Sequence, residues 1–296
     1  MKIDICVCTY RRPSVVDTLA SLDRQILPDG VTARIIVIDN DTEPTARDTV
    51  QSLAKTLTLP LLYVHAPANN ISIARNAALN AADGEWLAFI DDDETAPETW
   101  LANLLMTAET EDLDAVFGPA MAVYPDDAPD WIRQQDYHSN IPLWRDGAVQ
   151  TGYSCNALIR RTSPHVSGRY FSLDKGKTGG EDTEFFYNMW FSGAKLGIAG
   201  DAKVFEPVDP RRLSAEWIRN RRYRTGLSYG YHCIPNRKFL NLLRFATTTS
   251  LRIIFCMVIA LALAWSERRR NFWFMRGVFH YGALMSVFSR DVPEQY

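Results

Sequence analysis

The sequence predicts an α/β protein with a mostly parallel central sheet and flanking helices. Apolar runs rich in β-branched residues suit strands that are buried on both faces of a parallel sheet. The first third of the chain has four such runs, at residues 3–8, 33–38, 61–64 and 86–90. Apolar residues recur at helical spacing in the segments between them, at residues 13–25, 45–57 and 73–82. Strands and helices that alternate in this order build βαβ units, and hence a doubly wound sheet.

The regular alternation fades after about Asp112, so the later elements are marked by weaker patterns. Three further strands and one helix are expected at residues 115–123, 155–159, 195–205 and 181–191. Arginine becomes frequent from Arg211 onward, where long apolar segments also occur. We therefore expect a domain at residues 1–210, with halves at 1–110 and 111–210, followed by basic and amphipathic or hydrophobic helices at 211–296.

Composition narrows the classes of function. The chain has 296 residues and a net charge of −3 at pH 7. Neutralising nucleic-acid phosphates needs a basic excess, so nucleic acid is not an expected partner. The five cysteines are odd in number and show no Cys-x-x-Cys spacing. A disulfide framework or a zinc site is therefore not expected, and a reducing compartment fits the chain.

Polar side chains follow three of the predicted strands at the point where each strand ends. Ligands of doubly wound sheets bind beyond the carboxyl ends of the strands. The polar residues at these ends are Thr9, Tyr10, Arg11 and Arg12, then Asp39, Asn40 and Asp41, then Asp91, Asp92, Asp93 and Glu94. Carboxylates and guanidiniums at one edge of a sheet suit a phosphate ligand that is bridged by a cation.

The acidic run Asp91-Asp92-Asp93 directly follows an apolar strand. Residues i and i+2 of an extended chain point to the same side, so Asp91 and Asp93 are expected to act together. Asp92 points the other way unless the chain turns. Mg²⁺ and Mn²⁺ take oxygen ligands, and one or two carboxylates suffice when phosphates and water complete the shell. The alternative is an acidic turn that caps the helix that follows.

Five motifs in order resemble the family 2 glycosyltransferases, which have the Rossmann-like nucleotide-sugar fold called GT-A. The motifs are ICVCTYRRP at 5–13, IVIDN at 36–40, IARN at 73–76, FIDDD at 89–93 and GED at 180–182. Together they cover about two-thirds of the chain. The resemblance is strongest to transferases that build bacterial exopolysaccharides of the succinoglycan type. It implies that residues 1–110 bind a nucleotide sugar and that residues 111–210 bind the acceptor.

The resemblance also implies the residues that bind the donor. They are Thr9 and Tyr10 at the base, Asp39 at the uracil edge, Arg75 beside the nucleotide and Asp91 at the ribose, with Arg12 and Asp92 nearby. Asp93 is the implied ligand of a divalent metal, Mg²⁺ or Mn²⁺. Simpler alternatives stay open: Tyr10 as a surface aromatic residue, Asp39 as the cap of its own turn, and Arg75 as an exposed helix residue. For Asp92, support of its neighbours and plain solvation are both open.

An inverting sugar transfer needs a base that deprotonates the acceptor hydroxyl. The resemblance assigns this role to Asp182, supported by Glu181, at the start of the predicted helix 181–191. The alternative is an acidic first turn that complements the helix dipole. The leaving diphosphate needs cations. Arg221 and Arg224 resemble the basic motif of the family near the diphosphate, although Thr225 stands where the family has tryptophan, and a solvated or lipid-facing basic surface is the alternative.

Two apolar segments near the C-terminus, at residues 253–265 and 272–288, flank three arginines at 268–270. Nucleotide sugars are cytosolic, so a full crossing would place these arginines outside the cell, against the positive-inside tendency. We therefore expect peripheral or monotopic helices on the cytoplasmic face of the bacterial inner membrane. The alternative is a pair of buried or oligomer-forming helices.

The resemblance thus implies an inverting, metal-dependent glycosyltransferase of bacterial exopolysaccharide biosynthesis. Its donor would be a nucleotide-diphosphate sugar, with UDP-glucose as the first choice, and its acceptor a polyprenyl-diphosphate-linked oligosaccharide. One alternative is a nucleotidyltransferase that makes an activated sugar, but residues 9–13 lack the glycine-rich signature that it needs. Another is a catalytically silent membrane scaffold with the same fold, against which the joint presence of Asp39, Asp91, Asp93 and Asp182 argues.

Overall fold

A computed structural model describes residues 1–233 and 238–288 of the chain. The described chain divides into two compact units. The first comprises Met1–Val123 and Ser139–Pro207, and the second comprises Tyr124–His138 and the described residues between 208 and 288. The sequence-based boundary at residues 210 and 211 leaves the segment Tyr124–His138 in the first domain, whereas the structure groups it with the second unit.

The first unit is built on a seven-stranded sheet in the order β3-β2-β1-β4-β7-β5-β8, beside a two-stranded ladder β6-β9. The strands are β1 (Lys2–Thr9), β2 (Thr32–Asp39), β3 (Leu61–His65), β4 (Trp86–Asp91), β5 (Ala115–Phe117), β6 (Ala120–Val123), β7 (Asn156–Arg160), β8 (Leu196–Ile198) and β9 (Val204–Pro207). Only β7 runs antiparallel to its neighbours in the seven-stranded sheet. The predicted mostly parallel α/β sheet is therefore confirmed.

The helices of the described chain are α1 (Val15–Asp23), α2 (Arg47–Leu53), α3 (Ile71–Ala81), α4 (Trp100–Thr110), α5 (Asp130–Arg133), α6 (Glu181–Phe191), α7 (Ala215–Cys233), α8 (Phe239–Ala262) and α9 (Glu267–Met285). Two short 3-10 turns lie at Leu173–Lys175 and Pro210–Arg212. Helix α3 begins two residues earlier than predicted, because the Asn70 side chain accepts hydrogen bonds from the backbone N–H groups of Ser72 and Ile73 at 3.0 and 3.3 Å.

Apolar side chains cover both faces of the sheet, which explains the unbroken apolar runs of its strands. On one face, Ile5 of β1 belongs to the same buried cluster as Leu19 of α1 and Trp100 of α4. On the other face, Cys6 of β1 shares a cluster with Ala74 of α3 and Phe185 of α6. Alternate residues of β1 thus enter opposite cores, as expected for a strand with two buried faces.

Two predicted strands are each divided in the structure. The run 115–123 separates into β5 and β6 at Gly118, where a Cβ atom would lie 2.1 Å from the backbone oxygen of Ala202. The run 195–205 also separates, into β8 and β9, with residues 199–203 between them. Strand β9 pairs with β6 and also meets Thr95 through an isolated bridge at Phe205. These breaks bring β9 beside the segment that follows β4.

In the second unit, the segment Tyr124–His138 packs into an apolar core that it shares with α7 and α9. Trp131 and Ile132 of α5 share a buried cluster with Ile218 of α7 and Met275 of α9. This packing explains why the segment separates from the chain that surrounds it in sequence. Helices α7 and α9 approach so closely at Gly226 that a Cβ atom there would lie 2.0 Å from the backbone oxygen of Phe279.

Helix α8 has one packed side and one bare side within the second unit. Cys256 and Ala260 are buried, and a Cβ atom on Gly277 of α9 would meet the Met257 methyl group at 2.1 Å. Leu261 and Phe239 remain 80% and 76% exposed. Among residues 1–233 and 238–288, α8 alone is long and apolar enough to cross a membrane, with a mean hydropathy of 1.8.

Candidate active site

The carboxyl ends of three adjacent parallel strands form the edge at which the candidate site lies. Strand β1 lies between β2 and β4, with Thr9 opposite Asp39 and Cys8 opposite Asp91. The polar segments that follow these strands are therefore close neighbours. This edge is the place at which doubly wound sheets bind ligands.

Different residues of the acidic run contact two different arginines, Arg12 and Arg75. Asp91 is the last residue of β4, and a turn follows it. Asp93 pairs with the Arg12 guanidinium, whose Nε lies 3.7 Å from Oδ1 of Asp92. Asp91 instead lies 4.0 Å from Nη2 of Arg75. Asp91 and Asp93 thus have different arginine partners, although the Asp93 charge still acts on Asp91, so their joint action stays a prediction.

Asp92 is the most enclosed residue of the run. It is 7% exposed, and its Oδ2 accepts a hydrogen bond from the Thr9 hydroxyl at 2.7 Å. Burial raises the pKa of Asp92 to about 6, although the Thr9 hydrogen bond and the Arg12 charge oppose this rise. Simple solvation of Asp92 is therefore excluded. Its carboxylate ties the end of β1 to the turn after β4.

The site carries more carboxylate groups than its arginines neutralise. The pKa of Asp91 is raised by desolvation of its half-exposed carboxylate and by the charges of Asp93 and Asp92, and the Arg75 charge opposes this rise. The pKa of Glu94 is also well above its usual range, because the residue is buried beside Asp91. A hard divalent cation with oxygen ligands fits such a surplus of negative charge.

The protein alone offers only part of a metal coordination shell. In the described part of the chain, no group of three or more histidine, cysteine, aspartate or glutamate side chains is arranged to hold a metal ion. Divalent cations at phosphate sites commonly use one or two carboxylates, and phosphate oxygens and water supply the remaining ligands. The residues present fit that pattern, with Asp93 as the candidate ligand.

Arg75 and Glu181 form a buried ion pair that links α3 to the start of α6. Arg75 is 7% exposed, its Nη1 contacts Oε1 of Glu181, and its guanidinium lies 5.7 Å from the ring centroid of Phe171. Burial lowers the pKa of Arg75, but the charges of Glu181 and Asp91 outweigh this effect and raise it. The alternative of an exposed helix residue is therefore excluded for Arg75.

Glu181 and Asp182 have different surroundings although they are adjacent in sequence. Burial raises the pKa of Glu181 in spite of the Arg75 charge, and its carboxylate is committed to that arginine. Asp182 is partly exposed, and its Oδ1 accepts a hydrogen bond from the backbone N–H of Thr183 at 2.6 Å. Of the two, Asp182 has the more accessible carboxylate.

The loop that leads to Asp182 is anchored on α3. The Asn70 amide donates to the Leu173 oxygen at 3.1 Å, and the Ser72 hydroxyl donates to the Ser172 oxygen at 2.7 Å. Gly180, with φ of 89°, then adopts the left-handed conformation from which α6 begins. One helix thus positions both Arg75 and the start of α6.

Asp39 and Tyr10 have contrasting exposure. Asp39 is fully buried, and its carboxylate accepts hydrogen bonds from the backbone N–H groups of Asp41 and Ala46 and from the Tyr63 hydroxyl, at 3.1, 3.0 and 2.7 Å. It therefore caps its own loop, and its contact with a uracil edge stays a prediction. Tyr10 is 38% exposed at the same edge of the sheet, and its role at the base also stays a prediction.

Arg221 and Arg224 lie on α7 in the second unit. The Arg221 guanidinium lies 5.3 Å from the ring centroid of Trp217, which also stacks with His138 at 5.0 Å. Burial and the Arg221 charge lower the pKa of His138 to about 4, so this histidine is neutral at physiological pH. The role of the two arginines at a diphosphate stays a prediction.

One contributor to this edge was not predicted from the sequence, and the partner of another was left open. Glu206 of β9 adds negative charge beside Asp91 and Glu94, since it raises the pKa of both. It directly follows the predicted strand 195–205, so the rule that strand ends carry the chemistry would have found it. Arg11 pairs with Asp41, and no pattern in the sequence indicates which carboxylate each of two adjacent arginines contacts.

The parallel sheet, the acidic run that ends β4 and the carboxylate pair that begins α6 define a glycosyltransferase of the GT-A class. Residues 4–164 match the family model described as glycosyl transferase family 2. A curated relative, the succinoglycan biosynthesis protein ExoM of Rhizobium meliloti (strain 1021), is 42% identical over 296 residues, which cover 100% of this chain and 96% of the relative. The chain belongs to glycosyl transferase family 2.

Solved structures support the fold. The mannosyltransferase PcManGT from Pyrobaculum calidifontis, in complex with GDP-Man and Mn²⁺, is 19% identical with a TM-score of 0.67, over 98% of this chain and 88% of that one. TarS 1-349 of S. aureus, in complex with UDP-GlcNAc, is 18% identical with a TM-score of 0.55. In that comparison 74% of this chain spans 65% of the TarS chain. At these identities the likeness concerns the fold alone.

Proposed function

We propose that the protein transfers a sugar from a nucleotide-diphosphate donor to a polyprenyl-diphosphate-linked oligosaccharide, with inversion at the anomeric carbon, in bacterial exopolysaccharide biosynthesis. The name of the 42% identical relative supports the exopolysaccharide setting. UDP-glucose is the first donor to test. One observation carries the mechanism: Arg75 contacts Glu181 at the start of α6 and also lies 4.0 Å from Asp91 at the end of β4. The donor edge and the candidate base are thus adjacent.

Each charged residue has a defined task in this mechanism. Asp93 would hold a divalent cation, Mg²⁺ or Mn²⁺, which supplies positive charge to the diphosphate leaving group. Asp182 accepts the proton of the acceptor hydroxyl while that oxygen bonds to the anomeric carbon. The bond from the anomeric carbon to the diphosphate oxygen breaks on the opposite face, so the configuration inverts. Arg75 keeps Glu181 paired, which leaves Asp182 as the proton acceptor.

The test compares two carboxylates of the same segment. Asp182→Asn is expected to lower sugar transfer by about 10²- to 10⁴-fold, the range for loss of a general base. Asp174→Asn alters an exposed carboxylate in the preceding loop and is expected to transfer normally. UDP binding is measured on each protein by calorimetry and is expected to be unchanged. Transfer at the wild-type rate by Asp182→Asn would refute the role of Asp182.

The donor is identified with the purified full chain and a lipid-linked acceptor. UDP-glucose, UDP-GlcNAc and GDP-mannose are compared with Mn²⁺ and with a chelator. Transfer is expected from one donor and only with metal, and Asp93→Ala is expected to lose it. Release of pyrophosphate from a nucleoside triphosphate and a sugar phosphate would favour a nucleotidyltransferase instead.

We also propose that the second unit holds the protein on the cytoplasmic face of the inner membrane. Leu251, Ile254, Val258 and Leu261 are exposed and recur every three or four residues, so they form one apolar stripe along α8. Arg252 is exposed on the same helix, and a crossing would place its charge within the hydrocarbon. A helix that lies in the interface buries the stripe and leaves the arginine among lipid headgroups.

Vesicle flotation tests this attachment. A triple variant, Leu251→Ser, Ile254→Ser and Leu261→Ser, alters the bare side of α8 and spares its packed side. It is expected to lose most of its binding to vesicles that contain an anionic lipid. Met106→Ser removes a comparably exposed apolar side chain from α4 of the first unit and is the control. Equal flotation of the triple variant and wild type would refute the proposal.

A further inference from the structure

Arg11 has an unusual backbone conformation at the candidate donor edge. Its φ is 52°, in the left-handed region that favours glycine and that other L-residues adopt at a cost. It stands between Tyr10 and Arg12, both of which are candidate donor-binding residues. Strained backbone that persists at such a place is held by its surroundings and points to a task there.

A buried carboxylate holds Arg11 in this conformation. Nε and Nη2 of Arg11 donate to the two oxygens of Asp41 at 2.7 and 2.9 Å, which is a bidentate pair. The Asp41 carboxylate is fully buried and also accepts hydrogen bonds from the Thr42 N–H at 2.8 Å and the Thr45 hydroxyl at 3.0 Å. The Arg11 hydrogen bond is the main cause that lowers the pKa of Asp41 to about 2. The acceptor is therefore ionised and rigidly placed.

Because Arg11 is left-handed, the side chains of Arg11 and Arg12 extend toward different strands, one toward β2 and the other toward β4. Arg11 reaches Asp41 in the loop after β2, and Arg12 reaches Asp93 in the turn after β4. The Arg11 guanidinium also lies 5.3 Å from the ring centroid of Tyr10. The conformation of Arg11 thus fixes the position of the Tyr10 ring relative to the Arg12 guanidinium, which contacts Asp93.

We propose that Arg11, held by Asp41, is a positioning residue for the nucleotide donor. It maintains the left-handed turn that presents Tyr10 to the base and Arg12 to the diphosphate side of the site. It acts through these neighbours and through no reacting atom. The proposal rests on the proposed function, because it takes the carboxyl edge of β1 as the place where the nucleotide binds.

Two substitutions of Arg11 distinguish the effect of the backbone conformation from the effect of the side chain. Arg11→Ala removes the bidentate pair and leaves a residue that disfavours positive φ, so the turn is expected to relax. Arg11→Gly also removes the pair but accepts the left-handed conformation freely. We expect Arg11→Ala to weaken UDP binding and to raise the donor KM by about tenfold, with kcat little changed. Arg11→Gly is expected to stay within about threefold of wild type.

The control is an arginine–aspartate pair at the opposite end of the same two strands. Nε of Arg34 in β2 donates to Oδ1 of Asp4 in β1 at 2.9 Å. Arg34→Ala is expected to leave UDP binding unchanged even where its melting temperature falls. Asp41→Asn provides a second variant that keeps Arg11 and removes the charge that holds it, and weaker UDP binding is expected for it also.

The experiment is calorimetric titration of UDP, with Mn²⁺, into the full-length proteins, with a melting curve for each. Weaker binding by Arg11→Ala, recovery by Arg11→Gly and no effect of Arg34→Ala would support the proposal. Wild-type affinity in Arg11→Ala or in Asp41→Asn would overturn it, as would an Arg11→Gly affinity as weak as that of Arg11→Ala. If the wild-type protein binds neither UDP nor GDP, the proposed function fails first, and that result is visible before any variant is made.

Discussion

Replacing Asp92 by asparagine is expected to stabilise the protein at neutral and alkaline pH. The carboxylate is enclosed between Thr9 and Arg12, and its charge is unfavourable in that place because burial raises its pKa. Asparagine has nearly the same shape and keeps an oxygen that can accept the hydrogen bond from the Thr9 hydroxyl. The substitution thus removes the buried charge with little change in packing.

The magnitude follows from the pKa. The value rises from 3.8 to about 6 on folding, and each unit corresponds to ~1.4 kcal/mol, so the ionised side chain costs about 3 kcal/mol of stability. A raised carboxylate pKa leaves stability intact below pH 3.8 and lowers it as pH rises through 6. The gain from Asp92→Asn is therefore only about 0.5 kcal/mol at pH 4 and reaches about 1 to 3 kcal/mol at pH 8, the lower figure allowing for the amide NH₂ group that replaces one acceptor oxygen.

Urea unfolding of the full chain, with a chelator present, measures this gain at pH 4 and pH 8. Asp83→Asn is the control, because the pKa of that exposed carboxylate is lowered by its hydrogen bond to Lys2, and no gain is expected from removing it. A gain that is the same at both pH values would show that charge is not its cause. A loss of stability at pH 8 would refute the reasoning outright.

Three further outcomes are expected. Gly226→Ala drives a Cβ atom into the backbone of α9 and should lower the free energy of unfolding by about 1 to 3 kcal/mol in urea, whereas Gly200→Ala, which meets open space, should not. Glu181→Ala leaves Arg75 buried without its nearest partner and should cost about 3 kcal/mol by the same measurement. Because the pKa of His138 falls from 6.5 to about 4, wild type should lose stability relative to His138→Phe as pH drops through that interval, and parallel pH profiles would contradict this.

The sheet was predictable because its signal is local. Each apolar run of β1, β2, β3 and β4 is long enough to mark a strand buried on both faces, and the structure has all four. Helix α6 has the predicted bounds as well, since Gly180 and the acidic turn mark its start. The rule that ligands bind beyond the carboxyl ends of parallel strands also places the acidic run at the ligand-binding edge.

The partners of the charged residues were not predictable, because they depend on contacts distant in sequence. Arg75 meets Glu181 across 106 positions, and nothing in the local pattern of either residue indicates the other. Asp39 looks like a ligand by motif, yet its three hydrogen bonds are to its own loop and to Tyr63 of the neighbouring strand. Periodicity predicts which side a residue faces, but tertiary structure decides which groups occupy that side.

Arg75 connects the acidic run at the end of β4 with the carboxylate pair at the start of α6. Its guanidinium lies 4.0 Å from Asp91 at the end of β4 and is also the partner of Glu181 at the start of α6. A buried arginine with two carboxylate neighbours shifts toward one when the charge on the other falls, because its own charge cannot be left unpaired. Donor contacts that neutralise Asp91 would therefore strengthen the hold on Glu181, and through it on the helix turn that carries Asp182. With Asp182 as the proposed base, the donor would help to set its position, and the acidic run would contribute to the timing of proton removal as well as to binding.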